Sequence, residues 1–304
     1  RRLRRRARPR NLQPGVSLVT ISGRSINRIG VFLAFLPFLL FCAMFELIPV
    51  GALLLGSVGG LDTLSLEWIA KVFTNATFQR SIWNSLLLSV TSSLLGAVIG
   101  TAIGYAITRT KRGRVRRALI ALSSISSNAG GISLGFAFIT ILGAAGMITI
   151  LLRTFGIDLL SFFSIYSVIG LIVVYLYFQV PLMIVLMLPA FAGLRADWAE
   201  ASSSLGGTGR DFWRKVGIPV LMPSIVAGTV LLFVSSMGAY ATAQALIGSR
   251  INLMTIQISI LRRGEILYQP AQADAMATVL LLIVAVSVLA YHLIQRRAQR
   301  WIQA

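Results

Sequence analysis

The sequence predicts an all-α membrane protein of six transmembrane helices with both termini in the cytoplasm. Three observations carry that prediction. Hydrophobic residues make up 56% of the 304 residues, and the mean hydropathy is +0.82, far too apolar for a soluble domain of this size. Apolar stretches of membrane-crossing length, about 20 residues each, recur along the chain. The bases are also segregated. Of 28 Lys and Arg, nine fall in residues 1–28, six between Arg109 and Arg117, four at Arg195, Arg210, Arg214 and Lys215, and three in the tail. Such an excess on one side marks the cytoplasmic face.

Residues 1–28 form a basic N-terminal segment, residues 29–294 the six-helix domain and residues 295–304 a cytoplasmic tail. The arginine run RRLRRRARPR suits the anionic inner leaflet, and the segregation of charge accounts for it without nucleic-acid binding. The first span, Ile29–Leu55, is longer than the apolar core of a signal peptide. It holds Glu46, either a pathway or partner-contact group or a carboxylate at the outer headgroup level near Pro49. An external loop, Gly56–Ser81, contains LEWIAKVF, whose Leu66, Ile69 and Phe73 share a helix face. Asn75-Ala76-Thr77 matches a glycosylation acceptor, a match read as chance.

The second span, Asn84–Thr108, carries Gly96, Gly100 and Gly104 at four-residue spacing, a seam for close helix packing. A basic turn, RTKRGRVRR, follows. The third span, Ala118–Gly146, is interrupted by SSISSNAGG at Ser123–Gly131. Polar residues and glycines at membrane depth face protein or a water-filled cavity, so this is a hinge, a pathway-lining segment or a site of close packing. Met147–Phe163 reads as an interfacial external segment. The fourth span is Ile165–Leu188, the fifth Pro219–Leu246 and the sixth Ala273–Ile294, with an external loop at Gly248–Ala271.

Between the fourth and fifth spans lies the polar stretch EASSSLGGTGRDFWRKVGIPVLMPSI, Glu200–Ile225. Ala199–Leu205 favours helix, Gly206-Gly207-Thr208-Gly209 breaks it, and Arg210–Gly217 forms a second short helix. Phe212 and Val216 sit four apart, on one expected face, and Pro219 is expected to end the surface segment. The two helices make a knob that another protein could grip.

At nine positions, Glu200-Ala201, Leu205-Gly206, Phe212, Val216, Pro219, Pro223 and Ile225, this stretch resembles the EAA loop of the permease subunits of binding-protein-dependent ABC importers. Ser202 and Gly207-Thr208 depart from the usual pattern by small-for-small changes. The resemblance implies a type I ABC importer (MetI-like) permease fold, with a coupling loop at 195–219 that docks on ATP-hydrolysing subunits. It assigns the coupling role to Glu200, Ala201, Leu205, Gly206, Gly207, Arg210, Phe212, Val216 and Pro219. The implied partners are two ATP-binding subunits that hold ATP and Mg, a second related permease, and an extracytoplasmic solute-binding protein. SMGAYATAQALIG is similar to a segment of the polyamine-type subgroup, although Ala243 stands where proline is frequent. That implies a polyamine-like or aminophosphonate-like solute. Candidate pathway residues are Glu46, Asn128, Gln179, Tyr240 and Gln244. A channel or scaffold without ATP coupling is the alternative, but it gives no reason for a glycine-hinged double helix.

The sequence carries no nucleotide-binding motif, since G-x-x-x-x-G-K-[ST] does not occur, and no H-E-x-x-H. G-x-S-x-G occurs once, at residues 131–135, but inside an expected membrane span and not on a strand-to-helix turn, and no histidine lies near it in the chain, so it marks no hydrolase. Gly207-Thr208-Gly209 follows no strand and so is no dinucleotide loop. One cysteine, Cys42, and one histidine, His292, exclude a disulfide framework or a Cys/His metal cluster within the chain. The expectation is a non-catalytic membrane subunit.

Overall fold

The computed structural model describes residues 28–60, 65–264 and 268–303. The basic stretch 1–27, with Asp62 and Glu265, lies outside the described residues. Every regular element among the described residues is helical. Six helical stretches are long and apolar enough to cross a membrane: Phe35–Ser57, Ala76–Thr108, Ile132–Thr154, Val168–Ala192, Gly209–Gly238 and Pro270–Leu293. The chain divides into two compact units, residues 1–50 and 51–304.

The first unit contains α1 (Arg28–Cys42), a π-helical turn (Ala43–Leu47) and the start of α2 (Ile48–Ser57). Phe38 and Phe45 are about two-thirds exposed, at 64% and 65%, as lipid-facing side chains are in an isolated chain. Glu46 is exposed on the π turn.

The second unit is built on α4 (Ala76–Thr108) and α8 (Val168–Ala192), with α11 (Ile218–Gly238) against both. At 1.5 Å per residue the 33-residue α4 is about 50 Å long. It starts before the expected Asn84 because Asn75 caps it, its side-chain oxygen accepting from the Thr77 amide at 2.8 Å. The Asn-x-Thr pattern is thus a helix cap. The glycine seam lies on α8. A Cβ on Gly100 would sit 2.6 Å from the Met183 Cβ and 2.8 Å from the Val180 carbonyl oxygen, and one on Gly104 3.2 Å from the Phe191 ring. Only hydrogen fits at Gly100, and Gly104 is tight, so the backbones approach closely. Between the three helices Gln179 Nε2 donates to Ser92 Oγ (3.2 Å), and the Ser92 and Ser236 hydroxyls share a hydrogen bond (3.1 Å).

The interrupted third span is two helices, α5 (Gly113–Ser127) and α6 (Ile132–Leu142), separated by Asn128–Gly131. With α7 (Met147–Thr154), α6 makes up the third apolar stretch of crossing length. Met147–Phe163 is therefore partly span, and the expected boundary at Gly146 falls too early. The fifth span is also broken, at Ala239, between α11 and α12 (Tyr240–Ile247). Both breaks are met by side chains. Thr242 Oγ1 accepts from the Gly131 amide (2.9 Å) and donates to the Gly131 carbonyl (3.1 Å), while the Tyr175 hydroxyl donates to the Ala239 carbonyl (2.8 Å). Irregular backbone in a membrane needs such partners.

The segments expected as external loops are largely helical. In α3 (Glu67–Thr74) the inward face is Trp68, Ile69 and Val72, packed on the start of α14 (Pro270–Gln303). Leu66 and Phe73 are exposed, so the expected Leu66–Ile69–Phe73 face is displaced by about one residue. The helix α13 (Met254–Arg263) closes the same end, the Met254 amide donating to Ser85 Oγ at 2.9 Å and Arg262 pairing with Asp274 at 3.0 Å.

We expect Gly100→Ala to destabilise the chain by about 1–3 kcal/mol, since the new methyl meets backbone as well as Met183. Gly113→Ala, with nothing within 4 Å of the added atom, should fall within about 0.5 kcal/mol of the parent. Thermal unfolding of the detergent-purified variants checks the contrast.

Candidate functional site

The loop after α8 is fixed by its own local chemistry. The helix α9 (Ala196–Ser204) ends with Gly206 at φ +75°. The Gly206 amide donates to Ser203 O (3.0 Å) and the Gly207 amide to Ser202 O (2.9 Å), a Schellman closure that satisfies the last carbonyls. Thr208 then starts α10 (Gly209–Phe212) with a capping box, the Asp211 amide donating to Thr208 Oγ1 at 3.3 Å and the Thr208 amide to Asp211 Oδ2 at 3.0 Å. Helix end and helix start share Gly206-Gly207-Thr208, so the turn holds its shape without help from the spans.

From α10 the chain passes through a π-helical turn, Trp213–Gly217, directly into α11. Pro219 does not end the segment. It stands just past the π turn, where the ladder has already shifted so that the Ile218 amide bonds Trp213 O, and the helical run from Gly209 to Gly238 continues through it. Two residues expected on one face line different clefts. Phe212 is buried on one side of the loop, whereas Val216 lines the other. Gly217 is the residue that permits the turn, because a Cβ there would lie 2.5 Å from the Trp213 ring.

Trp213 fastens the loop to the long helices. Its ring meets Tyr105 of α4 edge-on, centroids 4.8 Å apart at 88°, Tyr105 stacks near Phe191 of α8 at 5.8 Å, and Phe212 lies 5.7 Å from Trp213. Four aromatic rings thus join the ends of α4, α8 and α10. Edge-to-face pairs contribute about 0.5–1.5 kcal/mol each beyond burial.

Two clefts flank α9. The first, of about 620 Å³, is lined by Trp198, Ala201, Leu205, Gly206, Gly207 and Val216, among others. It is mostly apolar, and Leu205 at its edge is 89% exposed. The second, of about 520 Å³, holds Glu200, Arg109, Arg116 and Arg195 above the four aromatic rings. The predicted loop residues therefore divide, with Ala201, Leu205, Gly206, Gly207 and Val216 on the apolar cleft and Glu200 and Phe212 on the charged one. Arg210 is exposed and lines neither. The sequence reading passed over Trp198, although its spacing from Ala201, Ser202 and Leu205 is helical, and over the Thr208-x-x-Asp211 cap.

The chain is similar to several transport proteins. It is 26% identical over 224 residues, 72% of this chain and 80% of the relative, to the molybdenum transport system permease protein ModB of Mycobacterium tuberculosis. Over 257 residues, 83% of this chain and 89% of the relative, it is 25% identical to the sulfate transport system permease protein CysT of Salmonella typhimurium. Over 234 residues, 76% and 79%, it is 25% identical to the spermidine/putrescine transport system permease protein PotC of Escherichia coli. No protein-family model matches it. Among solved structures it superposes on a bacterial ABC transporter involved in the import of alginate with a TM-score of 0.70 at 17% identity, covering 90% of this chain and 97% of that one. On the methionine ABC transporter MetNI the TM-score is 0.55 at 21% identity, covering 72% and 95%.

The fold is that of an ABC-transporter permease. Of the five candidate pathway residues, the four in the second unit do not converge. Asn128 and Tyr240 share a cleft of about 540 Å³ between the two broken helices, with Ser127, Phe178, Ser235 and Thr242. The Tyr240 hydroxyl hydrogen-bonds Ser259 Oγ (2.9 Å), and Asn128 Nδ2 donates to Ser124 O (3.0 Å). Gln179 is fully buried in the α4–α8–α11 seam, its Oε1 without a hydrogen-bond partner among the described residues. Gln244 is exposed on α12 and lines none of these clefts, and Glu46 belongs to the N-terminal unit.

Gly217→Ala should push Trp213 off Tyr105 and loosen the loop, read as faster limited proteolysis between residues 200 and 217. Gly209→Ala, with open space around the added methyl, should leave the cleavage rate at the parent value.

Proposed function

We propose that the chain is a permease subunit of an ATP-driven importer. It forms half of a translocation pore in the bacterial cytoplasmic membrane, with both termini and the α9–α10 loop inside. Two ATP-binding subunits, which carry the ATP and Mg, dock on that loop, and an external binding protein delivers the solute. The observation that carries this reading is the self-closed loop itself. It offers an apolar cleft and the exposed Leu205 outward, and it is tied inward by Trp213 to the ends of α4 and α8. A surface leucine beside a preformed apolar notch is what a protein partner grips, and a rigid attachment is what carries the partner's motion into the spans.

In this role Leu205, Trp198 and Val216 supply contact area, and Gly206 and Gly207 supply the tight turn. Glu200 and Phe212 face inward, toward the junction with the spans. Closure of the ATP-binding subunits would move loop, α4 and α8 together, and the breaks at Asn128–Gly131 and Ala239 are where the remaining helices bend. Asn128 and Tyr240 are the pathway candidates that this geometry favours.

The relatives are named for molybdenum, sulfate and spermidine/putrescine transport. The solute that we propose is accordingly a small charged compound, of which a polyamine or aminophosphonate is one case. A second, related permease as pore partner fits a chain that the polyamine-type segment likens to a heteromeric system.

The test uses the chain co-expressed with the proposed ATP-binding subunit. Gly206→Pro cannot adopt φ +75° and loses the amide that bonds Ser203, and Leu205→Asp places a charge at the apolar notch. Each should lower capture of the ATP-binding subunit about tenfold or more while the chain still accumulates in the membrane. Wild-type capture and transport by both variants would refute the docking assignment and favour a channel or scaffold.

A further inference from the structure

The charged cleft behind α9 has features that docking does not use. Arg109, Arg116 and Arg195 line it together with one carboxylate, Glu200. Arg195 is held by Asp197 at 2.7 Å, and Arg109 donates through Nε to the Tyr105 hydroxyl at 2.9 Å, its guanidinium 5.2 Å from that ring. Among the described residues the side chains of Arg116 and Glu200 have no hydrogen-bond or ion-pair partner. Three guanidiniums against one carboxylate leave the cleft with a net charge of about +2. Asp197, salt-bridged at the rim, offsets part of the Arg195 charge. The floor beneath these groups is aromatic, formed by Tyr105, Phe191, Phe212 and Trp213.

We propose that this cleft binds the phosphate group of an anion, with the headgroup of an anionic phospholipid as the source its position favours. Guanidinium forks match phosphate oxygens in geometry and charge. An arginine rim over an aromatic floor, at the level where α4 and α8 leave the apolar zone, fits a phosphodiester and the glycerol below it. The inference rests on the orientation proposed above, with this end of the bundle at the cytoplasmic leaflet, where anionic lipids concentrate, and basic pockets between membrane helices suit such headgroups. An acidic side chain of a docked protein is less well matched, because the protein-like apolar surface of α9 is on its opposite face. Arg116 supplies the free guanidinium, Arg109 is pre-oriented by Tyr105, and Glu200 limits the net charge. A bound headgroup would bridge α5 to the α9 loop, so lipid composition would tune how firmly the loop is held.

Native mass spectrometry of the full chain, solubilised gently and exposed to phosphatidylglycerol or phosphatidylcholine, tests the proposal. The parent should retain phosphatidylglycerol in preference to phosphatidylcholine. The pair Arg109→Gln with Arg116→Gln should lower that retention about 30-fold or more, each guanidinium–phosphate contact being worth at least about fivefold. The pair Arg114→Gln with Arg117→Gln removes the same charge from α5, beside Arg116, without touching the cleft, and should retain lipid like the parent. A second arm adds inorganic phosphate. Displacement by millimolar phosphate, with no preference between the two lipids, would assign the same arginines to a soluble phosphate compound. Equal losses in both pairs, or no loss in the cleft pair, would overturn the site. Loss of ATP-binding-subunit capture in the cleft pair without any change in lipid or phosphate retention would overturn it in favour of a protein contact.

Discussion

The close approach of α4 to α8 is the constraint on which the rest of the second unit depends. With hydrogens in place of side chains at Gly96, Gly100 and Gly104, the two helices stay in contact over about two turns. That contact brings Tyr105 and Phe191 to the same level at one end. Without it Trp213 would have no paired ring surface to meet, and the loop would hang from two separate helices. In lipid the hydrophobic effect does not drive helices together, so small residues and complementary shape must do so. The serine and glutamine groups buried alongside, Ser92, Gln179 and Ser236, add direction to a seam that dispersion alone would let slide.

The loop solves a different problem. A segment that receives force from a partner must keep its shape while presenting contact groups outward. The Schellman closure at Gly206-Gly207 and the Thr208–Asp211 capping box satisfy the backbone locally, which frees Leu205, Trp198 and Val216 for the outer surface. The π turn then rotates Trp213 inward. One inserted residue in the helical ladder thus converts a surface helix into an anchored one, and Gly217 is the position that makes room for it.

Much of this was legible in the residues themselves. Spans, charge asymmetry, glycine seam and the polar loop follow from composition and spacing, because each is a local or periodic property. The misreadings have a common physical cause, in that they concern what a residue meets across space. Phe212 and Val216 are four apart, yet one lines the charged cleft and the other the apolar one, because the neighbouring elements decide which cleft each side chain meets. Pro219 reads as a terminator because a proline inside a helix is costly, yet the π turn just before it lets the helix run on. Leu66 and Phe73 belong to an amphipathic pattern, but the floor beneath α3 is supplied by α14, which selects Trp68, Ile69 and Val72. Thr242 and Tyr175 cap the helix breaks from 111 and 64 residues away, a pairing that no local motif announces. Of the five polar residues singled out in the spans, Gln179 serves the packing seam, and only Asn128 and Tyr240 share a cleft.

The central claim is that the loop and the ends of α4 and α8 move as one body. In a Cys42→Ser background, spin labels at Ser204→Cys and Thr108→Cys of the assembled transporter measure that directly by pulsed dipolar spectroscopy. With and without trapped nucleotide, the distance between these two sites should stay within the width of its own distribution, while the distance from Ser204→Cys to a label on the partner permease shifts. A nucleotide-dependent change between Ser204→Cys and Thr108→Cys, with no movement relative to the partner, would show a loop that flexes on its own and would contradict the account.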